Sequence, residues 1–212
     1  MSANFFHSRT FLMLILICLA GAPAMSAETG PILVLGDSLT EGYGNRKEES
    51  YPFLLEKMIQ ADPHFAPKNY TVLNGGVNGS TSASALSRLK WYLKVKPSIL
   101  ILVMGANDGL RGLKVEETKK NLSRVIEQAE KNKMKVLLGG MKMPPNYGPA
   151  YTHEFETMFS VLAHTYHLRQ IPFLLEGVAG KSELNIEDGI HPNAKGHVII
   201  AKTVFRYLEP ML

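Results

Sequence analysis

The chain has 212 residues, 45% of them hydrophobic and 20% charged, with a formal net charge of +4 and one cysteine, Cys18. That length and apolar content suit a single domain with a sizeable core and exclude a disordered or low-complexity chain, and a lone cysteine excludes a disulfide framework. Positive charge is spread without a run of five like charges or a basic stripe with interleaved aromatics, so nucleic acid is not an expected partner.

Residues 1–27 read as a secretory signal peptide. Arg9 precedes an apolar stretch from Phe11 to Ala22, and small residues follow at Ala22, Ala24, Ser26 and Ala27. The stretch falls short of the roughly 20 residues that a membrane-spanning helix needs. Cleavage there removes Arg9 and Cys18, and the expected product, 28–212, is one domain exported across the inner membrane to the periplasm.

Along that domain, short apolar runs alternate with longer segments of helical period. The runs are Ile32 to Leu35, Tyr70 to Leu73, Ile99 to Met104, Met134 to Leu138 and Ile171 to Leu175. None alternates with polar residues, so each is expected to be buried on both faces, as strands of a helix-covered parallel sheet are. A helix with Pro52 in its first turn carries Leu54, Leu55, Met58 and Ile59, and another, entered through Ser80, Thr81 and Ser82 as candidate caps, carries Leu86, Leu89 and Leu93. Three more present Leu122, Val125, Ile126 and Ala129; Phe155, Met158, Phe159, Leu162 and Tyr166; and Val198, Ile199, Phe205 and Leu208. Strict alternation predicts an α/β fold, a flavodoxin-like three-layer α/β/α sandwich with a five-stranded parallel sheet. Its ligand crevice lies outside the carboxyl ends of the strands.

The residues fit for chemistry all fall after strands. Ser38 follows Gly36 and Asp37 at a turn suited to opening a short helix, although an isolated Asp-Ser pair reads equally well as a helix cap. Asp188 and His191 share a loop with Gly189 and Pro192, where the carboxylate is placed to orient the imidazole and leave its far nitrogen for a serine hydroxyl. A salt-bridged surface pair has the same sequence. Asn107, in Gly105-Ala106-Asn107-Asp108-Gly109, offers a neutral amide donor for a developing oxyanion, and Gly79 permits close approach of a backbone N–H. The Gly75 to Thr81 segment lacks both the ending of a phosphate loop and the spacing of a dinucleotide loop.

In these blocks the chain resembles the GDSL, or SGNH, hydrolases: Gly36-Asp37-Ser38-Leu39, Gly79, Gly105-x-Asn107-Asp108 and Asp188-x-x-His191, in order over the whole domain. Within that family it is similar to the bacterial thioesterase I, lysophospholipase and arylesterase group, through Gly105 to Gly112, Met143 to Gly148 and Asp188 to Asn193. The resemblance implies Ser38 as nucleophile, His191 as base, Asp188 as its orienter, and an oxyanion hole of the Ser38 and Gly79 N–H groups with the Asn107 amide. Gly76 is the alternative for the glycine. For substrate contacts we nominate Gly109, Leu110 and Arg111 on one loop and Pro145 and Tyr147 on another.

The expected activity is serine esterase hydrolysis of lysophospholipid, aryl or short-to-medium acyl esters, with acyl thioesters as a further class, through an acyl-serine. This chemistry requires no metal and no cofactor. The expected partner is the small acyl ester or lysolipid itself, with transient membrane-surface contact, and the expected state is a monomer. A carbohydrate O-deacetylase with the same residues and a non-catalytic acyl-lipid binding protein are the competing readings.

Overall fold

A computed structural model describes residues 30–212; the signal peptide expected at 1–27 lies outside them. The strands are β1 (Ile32–Gly36), β2 (Val72–Gly76), β3 (Ile99–Val103), β4 (Lys135–Gly139) and β5 (Arg169–Ile171). All neighbours pair in parallel, in the order β2-β1-β3-β4-β5. The helices are α1 (Ser38–Glu41), α2 (Tyr51–Ala61), α3 (Ala85–Tyr92), α4 (Ala106–Leu110), α5 (Val115–Lys131), α6 (Pro149–Thr165) and α7 (Ala194–Leu208). α2 packs with α7 on one face of the sheet, and α5 packs with α3 and α6 on the other. This is the flavodoxin-like sandwich expected from the alternation. The strand order reverses at β1, which puts the crevice beside the turn that carries Ser38.

Burial follows position in the sheet. Every residue of β1 and β3 is buried, whereas in β2 only Gly75 is buried and β5 begins with exposed Arg169. The expectation of burial on both faces therefore fails at the two edge strands, because an edge lacks a neighbour to complete the cover.

The edges also end elsewhere than the apolar runs suggest. β2 is displaced toward its carboxyl end and includes Asn74, Gly75 and Gly76, which pair with Val34, Leu35 and Gly36. Its outer edge is met by side chains: Glu56 Oε2 accepts from Val72 N–H at 2.6 Å, and Asn74 Oδ1 accepts from Gly76 N–H at 2.9 Å. β5 stops at Ile171, since Pro172 has no N–H with which to extend a ladder. Leu174 N–H instead returns to Gly140 O at 2.9 Å.

Two helix readings change. Ser80, Thr81 and Ser82 do not cap α3; a 3₁₀ turn at Ser82–Ser84 leads into it, and Ser82 is buried elsewhere. On α7 the inward face is His197, Ile200, Ala201, Val204 and Leu208, while Val198 is exposed.

Candidate active site

Ser38 opens α1, whose cap is Asp37: the carboxylate accepts from Leu39 N–H at 3.0 Å, and the Asp37 carbonyl accepts from Thr40 and Glu41 N–H. Helix capping by Asp37 and presentation of the Ser38 hydroxyl are thus one arrangement. Gly42, at φ +89°, ends α1 after one turn. Thr40 is buried beneath, its Oγ1 2.7 Å from the Tyr51 hydroxyl. Tyr51 N–H in turn donates to His197 Nδ1 at 3.3 Å.

Across from Ser38 stands the loop after β5. Asp188 Oδ1 accepts from the N–H groups of Ile190 and His191, each at 2.9 Å. Its Oδ2 lies 2.6 Å from His191 Nδ1, and His191 Nε2 lies 2.9 Å from Ser38 Oγ. An ionised carboxylate only accepts, so Nδ1 carries the proton and Nε2 is left to accept from the serine. Burial works against the charge of Asp188, but the His191 and Ile190 N–H groups and the His191 ring outweigh it and hold the carboxyl below its ordinary range. Ile186 N–H donates to His191 O at 2.8 Å and Asn45 Nδ2 to Pro192 O at 2.9 Å, which anchors the loop at both ends. The Tyr43 ring rests on the imidazole at a centroid distance of 4.8 Å.

Behind Ser38 the site is buried and polar. Burial raises the Asp37 carboxyl to about 6, although Leu39 N–H and the charges of His191 and Arg88 pull the other way. Burial likewise lowers His197 to about 4 and pushes the Tyr51 hydroxyl well above its ordinary value.

Asn107 sits in α4, where Gly105 at φ +115° makes the turn out of β3. Its Nδ2 donates to Ser80 O at 3.1 Å, which ties it to the loop that carries Gly79. Gly79 adopts φ +70°, and Arg111 Nη2 donates to its carbonyl at 2.8 Å. Among the described residues neither the Ser38 nor the Gly79 N–H has a protein acceptor. Gly76 differs: its N–H is taken by Asn74, and a Cβ there would lie 2.0 Å from Glu41 N. Its glycine is explained by the close approach of α1 to β2.

The Ser38 and His191 side chains open on a cavity of about 620 Å³. Its walls are largely apolar: Leu110, Met141, Met143, Pro144, Pro145, Phe173, Leu175, Ala179 and Ile190 line it with Asn78 and Asn107. A larger depression of about 900 Å³ lies among Lys68, Lys96 and Lys133, and neither a histidine nor a carboxylate lines it. Of the nominated contacts, Leu110 and Pro145 line the site cavity, whereas Gly109, Arg111 and Tyr147 are not in its walls. These three brace it. Arg111 holds Gly79, the Tyr147 hydroxyl donates to Leu110 O at 2.8 Å, and Met143 Sδ crowds Gly109, 2.3 Å from where a Cβ would stand.

Sequence reading does not reach Phe173, Leu175 and Ala179: the first two fall in an apolar run expected to be strand, and Ala179 lies beyond it. It also missed the scaffold around Asp108, whose buried carboxylate accepts from Ser82 N–H at 2.8 Å, Ser82 Oγ at 2.5 Å and Thr118 Oγ1 at 3.2 Å. A signal for it exists. Thr118 falls in the inward stripe Val115, Leu122, Val125 of α5, and a hydroxyl at such a position requires a partner.

Residues 34–199 match the model of the GDSL-like Lipase/Acylhydrolase family. The chain is 35% identical to the Esterase TesA of Pseudomonas aeruginosa over 85% of this chain and 89% of that one. It is 33% identical to the Arylesterase of Vibrio mimicus over 94% and 97%, and 32% identical to the Thioesterase 1/protease 1/lysophospholipase L1 of Escherichia coli K12 over 95% and 92%. Among solved structures, a crystal structure of TesA superposes with a TM-score of 0.81 at 35% identity, covering 86% of this chain and 99% of that one. The SGNH-hydrolase family esterase AlinE4 does so with 0.70 at 37% identity, covering 87% and 97%.

Proposed function

From the premise that the chain belongs to the GDSL-like lipase/acylhydrolase family, we propose that this ester hydrolase works through Ser38, His191 and Asp188 on substrates whose acyl chain enters the apolar cavity. The observation that carries the reading is the unbroken relay from Asp188 Oδ2 through His191 to Ser38 Oγ, at 2.6 and 2.9 Å, opening on that cavity.

Ser38 Oγ attacks the ester carbonyl while His191 Nε2 takes its proton. Negative charge gathers on the former carbonyl oxygen, facing the Ser38 and Gly79 N–H groups and the Asn107 amide. Collapse breaks the ester C–O bond and His191 returns the proton to the departing alcohol. Water then attacks the acyl-serine with His191 again as base, releasing the carboxylic acid and restoring Ser38. Asp188 holds the imidazole in the productive tautomer and stabilises its charge.

The substrates that fit are lysophospholipids and aryl or short-to-medium acyl esters, with acyl thioesters cleaved by the same steps. Walls dominated by Met, Pro, Leu and Phe favour an acyl chain over an acetylated sugar, which sets carbohydrate O-deacetylation behind. Arg9, the apolar stretch from Phe11 and the small residues to Ala27 support export to the periplasm. Among the described residues no helix is long and apolar enough to cross a membrane.

The test is hydrolysis of a p-nitrophenyl acyl ester series and a lysophospholipid by purified protein beside Ser38→Ala. Turnover is expected to fall by about 10⁶ in the variant. Equal rates in both proteins would overturn the reading.

A further inference from the structure

One charged side chain behind the site is unused by this mechanism. Arg88 projects from α3 and its guanidinium is half-buried. Nη2 donates to Gly36 O at 2.9 Å and also to Gly75 O, while Nη1 donates to Ser80 Oγ at 2.9 Å. Gly36 is the last residue of β1, two before Ser38; Gly75 is the next-to-last residue of β2; Ser80 follows Gly79. The same fork therefore grips the two chain segments that deliver the Ser38 and Gly79 N–H groups. Ser80 passes the grip on, since its hydroxyl also donates to Val77 O at 2.8 Å and its carbonyl accepts from Asn107 Nδ2.

We infer that Arg88 is the positioning residue of the oxyanion donors, fixing the Ser38 and Gly79 N–H groups and the Asn107 amide relative to one another. Burial pulls the guanidinium below its ordinary pKa, yet arginine stays charged, and charge-assisted bonds to carbonyls are short and directional. A planar fork is what the task requires: three oxygen acceptors on two segments are reached at once, where an ammonium on a flexible stem supplies a point donor. Arg88 does not line the cavity, and its hydrogen bonds go to Gly36, Gly75 and Ser80 rather than to the His191 loop, so its loss acts on the transition state and spares acyl-chain binding. The inference rests on the serine-hydrolase reading above.

The experiment compares the full protein with Arg88→Lys and Arg88→Ala. We expect kcat to fall by up to about 10²-fold, the scale of a misplaced catalytic group, with KM close to that of the parent. Affinity for an alkylboronic acid, whose adduct with Ser38 mimics the tetrahedral state, falls in step with kcat/KM, while affinity for the carboxylic acid product does not. Added guanidinium ion restores part of the turnover of Arg88→Ala. Ser80→Ala removes one of the three anchors and keeps the fork, so it shows a smaller loss of the same pattern even if the Arg88 variants fold poorly. A folded Arg88→Lys with parental kcat and boronate affinity overturns the inference alone, as does a fall in boronate and product affinity together. Parental turnover in Ser38→Ala overturns both it and the hydrolytic reading.

Discussion

The two sides of the candidate site are built in opposite ways. Asp188 and His191 stand on an exposed loop, with side-chain exposures of 35% and 19%, and most of what holds them is local: a carboxylate bonded to amides two and three residues on. The oxyanion side is assembled from distant segments over buried polar groups, with Arg88 tying α3 to the ends of β1 and β2, and Asp108 tying α4 to α5 and to Ser82 ahead of α3. A proton relay tolerates exposure because its geometry is set within a few residues. Donors aimed at a charge that exists only in the transition state must be held before it forms, and that takes a rigid, water-poor frame.

Substitutions can separate the two. The largest effect is expected on the exposed side, where Asp188→Asn leaves melting temperature nearly unchanged and lowers kcat by about 10⁴, as loss of the orienting carboxylate does in serine hydrolases. A thermal melt and steady-state kinetics on the same sample check both halves. Next comes Asn107→Ala, expected to lower kcat by about 10²–10³ with modest change in KM; parental turnover would remove Asn107 from the oxyanion hole. Asp108→Ala should behave unlike Asp188→Asn. It strands the buried Ser82 and Thr118 donors, at about 1–3 kcal/mol for each group left unsatisfied, and lowers activity only through the frame. Denaturant unfolding reads that loss, and unaltered stability would show that the buried side is not the rigid one.

The smallest effect concerns pH. Asp37, raised from 3.8 to about 6, gives up its proton more readily when unfolded, so its contribution to stability falls as pH rises from about 4 to 6. His197, lowered from 6.5 to about 4, is protonated more readily when unfolded, so its contribution rises with pH across about 4 to 6.5. Each slope amounts to about 3 kcal/mol, at 1.36 kcal/mol per pH unit, and the two oppose one another. The parent is therefore expected to show a shallower pH dependence over this window than the His197 contribution alone would give. Asp37→Asn exposes the His197 slope, with stability climbing as pH rises. Urea midpoints at pH 4, 5 and 6.5 for both proteins decide it.

What the sequence made legible follows the same division. Central strands β1 and β3 are long apolar runs with neighbours on both sides, and they were readable because local composition and tertiary position agree. β2 was displaced because Asn74, Gly75 and Gly76 look like a loop; only the pairing with β1 and the pressure of α1 on Gly76 make them strand. At β5 an apolar run promised a strand, and one proline ends it at Ile171 and leaves Phe173 and Leu175 as cavity wall. Asp188 and His191, three apart, announced their geometry. Arg88 could not, since its role depends on carbonyls 52 and 13 residues away.

The blunted margins of the sheet bear on how the molecule behaves in company. An exposed edge strand is a template on which a second chain can add its own, the first step of aggregation. Here one margin is three residues long and stops at Pro172, and on the other the amides of Val72 and Gly76 are already occupied by Glu56 and Asn74. Little remains for a stranger to copy, so crowding should not recruit this sheet into fibrils, and replacing Glu56 with an apolar residue should make the protein less tolerant of concentration.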